Sequence, residues 1–117
     1  MSNGARIRVK KFGLKKNEIL RKREVKRLFL EGRRVFYNKL TIVYLPALKQ
    51  KAGFIASRKL GSAVKRNRVK RILREAYRMN KGIFKGFEVL FLAQDQLKYT
   101  EIIEIFLHFK REVQGCV

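Results

Sequence analysis

Acidic residues are scarce in this chain: nine Asp and Glu stand against 30 Lys and Arg over 117 residues, a formal charge of +21. Self-repulsion of that size destabilises a compact state unless anions gather around it. A polyanionic partner is therefore expected. Cysteine is limited to Cys116, beside the C-terminus, which excludes an internal disulfide and a thiolate metal cluster. The single histidine, His108, lies in an apolar helical pattern and is assigned no chemistry. No apolar run approaches the roughly 20 residues that span a bilayer. The basic N-terminus is followed by no apolar signal core, so the chain reads as soluble and cytoplasmic.

What is present argues for a folded domain. The composition is 46% hydrophobic with nine phenylalanines, far too apolar for a solvated tail. The length suits one small domain. Residues 1–17 carry Arg6, Arg8, Lys10, Lys11, Lys15 and Lys16 with few large apolar groups and read as a flexible basic arm. Residues 18–117 read as a single α/β domain.

Periodicity sets the elements. From Asn17 to Glu31 a helical period places Val25, Leu28 and Phe29 on one side, and Gly32 supplies a stop. Val35-Phe36-Tyr37 and Leu40 to Leu45 are rich in β-branched and aromatic residues. They predict one or two strands, with Asn38 as a break and Pro46, the only proline, as the end. Gly53 to Ser57 predicts another strand. It runs into Lys59-Leu60-Gly61-Ser62-Ala63-Val64-Lys65-Arg66-Asn67-Arg68-Val69-Lys70-Arg71-Ile72-Leu73-Arg74-Glu75-Ala76-Tyr77-Arg78. Here Ser62 is a candidate N-cap, and Val69, Ile72, Leu73, Ala76 and Tyr77 form one stripe at 100° per residue. The arginines lie mostly off that stripe. Asn80-Lys81-Gly82 ends the helix, Phe87 to Ala93 reads as a central strand, and a last helix runs from about Thr100 to Val113.

The segment 59–78 has one acid, Glu75. A soluble helix normally pairs its Lys and Arg with Glu at i,i+4, so this face predicts a polyanion contact, with guanidinium forks on phosphate oxygens. Phe12, Phe29, Phe36, Tyr37 and Tyr44 are interspersed with cations. Exposed aromatics stack unpaired bases, although most at such spacings belong to the core, so one or two are expected to face a ligand. No catalytic constellation emerges: the acids are scattered, and Ser57 and Ser62 have no histidine in a recognisable motif.

The stretch Gly53 to Arg78, above all Arg66-Asn67-Arg68 followed by Lys70-Arg71 and Arg74-Glu75, closely resembles the signature of the bacterial ribonuclease P protein subunit. The likeness extends to Glu24 to Gly32, a strand near 40–45, and Gly86 to Ala93. It implies an α+β fold, a two-layer α/β sandwich in the order αβββαβα with a left-handed βαβ crossover. Connection rules alone favour a right-handed one. It further implies an accessory subunit of an endoribonuclease: a catalytic RNA, using Mg²⁺ held mainly by that RNA, removes the 5′ leader of precursor tRNA. By position, Arg58, Lys59, Lys65, Arg66, Asn67, Arg68, Lys70, Arg71 and Arg74 would bind RNA. Val25, Phe29, Thr41 and Val43 would line a leader cleft, with no aromatic at Val25 where the family usually has one. No catalytic residue, bound metal, membrane or DNA is expected of this chain. A ribosomal protein would share its charge and size. A helix-based DNA binder is disfavoured because such recognition helices usually follow another helix across a short turn, whereas this one follows a strand.

Overall fold

Alternation along the second strand decides which helices cover which face. The computed structural model describes residues 14–114, in the order α1 (Lys22–Glu31), β1 (Arg33–Phe36), β2 (Leu40–Pro46), β3 (Lys51–Ala56), α2 (Ala63–Met79), β4 (Phe87–Ala93) and α3 (Tyr99–Gln114). Leu40 and Ile42 of β2 join Val89 and Phe91 of β4 under α2 and α3. Val43 and Leu90 point to the opposite face and meet Leu20 and Leu28 beside α1. The strand order is β1-β2-β4-β3, antiparallel except for the parallel β3/β4 pair, whose crossover is α2. This is the αβββαβα order, with β4 in the interior of the sheet. α1 adds a partial cover on the second face.

The larger core is aromatic. Phe84, fully buried in the 3-10 turn Lys81–Phe84, lies 4.9–5.7 Å from the ring centroids of Tyr77, Phe91, Phe106 and Phe109. Its contacts with Phe91 and Phe106 are edge-on, as ring quadrupoles prefer, and those with Tyr77 and Phe109 are tilted. Gly61 and Gly86 have φ of +99° and +89°, a region open to glycine at little cost. They turn the chain into α2 and into β4.

The first helix starts later than its period predicts. Residues 16–18 form a 3-10 turn, Ile19 bridges Ala52 in parallel fashion, and the Leu20 N–H donates to the Ala52 carbonyl at 3.0 Å. These bonds hold the segment on the β3 edge. The helix opens at Lys22, where the Glu24 carboxylate accepts from the Arg21 N–H at 2.7 Å. The folded part therefore takes in residues assigned to the arm, since Leu14 packs against the main core. Residues 1–13, with Phe12, and Cys116 lie outside the described residues.

Gly32 stops α1 through space rather than through φ, which is an ordinary −70°. A Cβ there would sit 2.6 Å from both the Leu28 carbonyl oxygen and Val43 Cγ1. Glycine thus lets the end of α1 lie directly on β2. Gly32→Ala is expected to cost about 1–3 kcal/mol through overpacking, read as a lower urea midpoint. An unchanged midpoint would mean that α1 lifts off the sheet freely.

Candidate nucleic-acid interface

The loop after β3 and the start of α2 are fixed by two serines. The Ser57 hydroxyl accepts from the Lys59 N–H at 3.1 Å, and the Ser62 hydroxyl caps α2 by accepting from the Lys65 N–H at 3.4 Å. Val69, Leu73, Ala76 and Tyr77 are buried and Ile72 is half-buried, so the apolar stripe docks on the sheet as its spacing predicts. The opposite side of α2 presents Lys65, Asn67, Arg68, Arg71 and Arg74 to solvent, with Arg66 and Lys70 half-buried at its margins. Arg58 and Lys59 extend this surface from the preceding turn.

Charge pairing separates these cations from the rest. The ion pairs among the described residues are Arg27–Glu88, Lys39–Glu101, Lys51–Glu24, Arg78–Glu75 and Lys81–Glu18. Four of them join different elements and serve as clamps; the lysine partners hold the Glu18 carboxyl below its ordinary range. Burial raises the Glu24 carboxyl, but its bonds from Lys51 and the Arg21 N–H outweigh that and leave it lowered. On α2, Glu75 is spent on Arg78, which reaches it through Nε at 3.3 Å and a terminal nitrogen at 2.7 Å. Lys65, Arg66, Arg68, Lys70, Arg71 and Arg74 form no ion pair among the described residues. The first turn of α2 has no acid, so its positive dipole end is uncompensated as well. This surface is built to receive negative charge.

Arg74 is also aimed by packing: its guanidinium lies over the Phe54 ring, 5.4 Å from the centroid. Sequence spacing could not reveal that contact, because the offset between α2 and β3 is a tertiary matter.

The residues expected to line the leader cleft divide in two. Thr41 and Val43 do face α1's side of the sheet, but Val43 is fully buried and Thr41 is 2% exposed. Neither offers surface to a ligand, because Leu28 and Gly32 seat α1 against Val43. They form a closed floor, and the Thr41 hydroxyl has no hydrogen-bond partner among the described residues. Val25 is half-buried in the same cluster, and Phe29 is the exposed member. Of the aromatics interspersed with cations, Tyr44 packs on Phe87 and Phe109. Tyr37 donates to Glu112 at 2.8 Å; burial and that carboxylate push its phenol far above the ordinary range.

Nothing resembles a catalytic centre among the described residues. A cavity of about 290 Å³ between Tyr37–Lys39 and α3 is lined in part by Glu101, Glu104 and His108. His108 is exposed, with Nδ1 3.3 Å from an Arg111 nitrogen. Among the described residues, no three His, Cys, Asp or Glu side chains gather as a metal cage, and no helix is long and apolar enough to cross a membrane.

Comparison with known proteins agrees with this geometry. A family model described as Ribonuclease P matches residues 14–114. The ribonuclease P protein component of Petrotoga mobilis is 40% identical over 112 residues, covering 86% of this chain and 95% of the relative. That of Alkaliphilus metalliredigens is 33% identical over 108 residues, covering 86% and 97%. Among solved structures, the RNase P protein from Thermotoga maritima superposes with a TM-score of 0.60 at 28% identity, covering 85% of this chain and 94% of that one. The Staphylococcus aureus protein, at 20% identity, shares the fold with the same TM-score over 86% and 92%. Family match, near-full-length relatives and fold agree: the chain belongs to the ribonuclease P protein component family.

Proposed function

We propose that this chain binds the catalytic RNA of ribonuclease P and the 5′ leader of precursor tRNA, and so assists removal of the leader in the cytoplasm. The observation that carries the reading is the solvent face of α2: its one acid, Glu75, pairs with Arg78, and Lys65, Arg66, Arg68, Lys70, Arg71 and Arg74 form no ion pair among the described residues. Arg66, Asn67, Arg68, Lys70, Arg71 and Arg74, with Arg58, Lys59 and Lys65 beside them, contact the RNA subunit. Guanidinium forks suit its phosphates, and contacts of this kind release counterions. Phe29 and Val25 border the leader cleft over the floor of Thr41 and Val43. The RNA carries the chemistry with Mg²⁺ as its cofactor. Among the described residues the acids do not converge into a cage, so these residues do not fit a resident Mg²⁺. The protein's part is to add positive charge and shape where two RNAs meet.

The test is cleavage of precursor tRNA by the RNA subunit at low Mg²⁺, with and without the protein. Added protein is expected to restore cleavage that low Mg²⁺ has suppressed, because it supplies cations the RNA otherwise recruits from solution. No stimulation, together with co-purification on intact ribosomal subunits, would assign the basic face to a ribosomal role instead.

A further inference from the structure

β1 is an edge strand, and its outward-lying residues Arg34 and Phe36 pair across β2 with Val43 and Thr41. Those partners belong to the α1 side of the sheet, so Arg34 and Phe36 stand on that side too. Phe36 is 72% exposed. One strand step back, Arg34 is anchored rather than free. It donates to the Phe29 carbonyl at 2.7 Å and holds its guanidinium 5.8 Å from the centre of the Phe29 ring. Side chains two apart on a strand are separated by roughly 6–7 Å. Phe29, Arg34 and Phe36 therefore make a short series of flat faces, aromatic then cationic then aromatic. The edge position leaves Phe36 open to approach without any movement of the fold.

A single exposed apolar residue is ordinary on a protein surface; Phe36 is distinguished by its neighbours, the tethered Arg34 and the exposed Phe29. Arg34 is fixed on the same face of the sheet, two residues along the strand. A patch so charged disfavours an apolar protein surface and suits an unpaired base, whose π-face stacks on the ring while its phosphate meets a guanidinium. Within the proposed cleft, Val43 is buried and Val25 is half-buried and aliphatic, so Phe29 alone supplies an aromatic there. We propose that Phe36, flanked by the tethered Arg34, is a second stacking platform, which extends the cleft across the β1 edge and holds one unpaired nucleobase of the leader. The inference rests on the leader-binding reading above.

The test uses the reconstituted ribonucleoprotein and measures its affinity for precursor tRNA and for mature tRNA with wild-type protein, Phe36→Ala, Phe36→Leu and Phe36→Trp. Ala and Leu are each expected to weaken precursor binding about 10-fold, the scale of one lost base stack, while Trp retains it and mature tRNA is unaffected. Abasic substitutions along the leader should reveal one position that weakens the wild type but adds no loss to Phe36→Ala. Full affinity in Phe36→Leu would reduce the ring to apolar cover and overturn the platform. Equal loss on mature tRNA, or the absence of any coupled position, would overturn it as well. If wild type discriminates precursor from mature tRNA but Phe36→Ala does so equally, only the platform falls. If wild type does not discriminate, the leader-binding reading falls and the platform with it.

Discussion

Phe84→Ala is expected to leave the protein largely unfolded when its RNA is absent. Phe84 has no exposed surface and touches four other rings, so truncation removes the packing that joins the turn 81–84 to α2, β4 and α3. Phe-to-Ala changes at such sites cost about 3–5 kcal/mol. A small domain has only about 5–15 kcal/mol in total, and a formal charge of +21 pushes this one toward the low end through self-repulsion. An RNA that binds only the folded state adds stability by mass action, about 4 kcal/mol at a thousandfold excess over its Kd. The variant should therefore lack native near-ultraviolet circular dichroism when alone, and recover cleavage stimulation in excess RNA. Phe84→Leu, which leaves a smaller void, should fold alone with a reduced midpoint. A Phe84→Ala protein within about 1 kcal/mol of wild type would show that the core readily collapses around the gap.

Much of this arrangement is legible without coordinates, and the exceptions have physical causes. The stripe from Val69 to Tyr77 and the apolar run from Phe87 to Ala93 could be placed because burial repeats at the period of the element. The start of α1 could not, because its cap is the Glu24 carboxylate accepting from the Arg21 N–H rather than a Ser, Thr, Asp or Asn, and the segment before it is held by a bridge to Ala52 more than 30 positions away. Thr41 and Val43 have the right facing for a cleft, yet the approach of α1 over Gly32 shuts them off. Strand alternation gives a side of the sheet but not how far a helix covers it. The same limit left Phe36 as one of five candidate aromatics: its pattern matches that of a core strand residue, and only the edge position of β1 exposes it.

Replacing Arg66 and Arg68 together with Ala should weaken assembly with the RNA subunit by on the order of 100-fold or more at low salt, given roughly 1.5–3 kcal/mol for each charge-assisted bond. The logarithmic salt slope should fall by roughly 1.4–1.8, the share of two phosphate contacts at about 0.7–0.9 each. Lys at both positions should keep most of the slope and lose part of the affinity, because it retains charge but not the paired donors. Arg78→Ala is the informative control on the same helix. Arg78 already answers Glu75 through two bonds, so its removal takes away a paired cation and leaves a carboxylate, with a small effect on the slope. Equal slopes for the Arg66/Arg68 variant and wild type, with matching unfolding midpoints, would remove α2 from the RNA interface. If Arg78→Ala flattened the slope as much as the double variant, net charge rather than the unpaired face would govern binding. The distinction turns on pairing along α2: Arg78 is answered by Glu75, and the cations without a carboxylate partner are open to a phosphate.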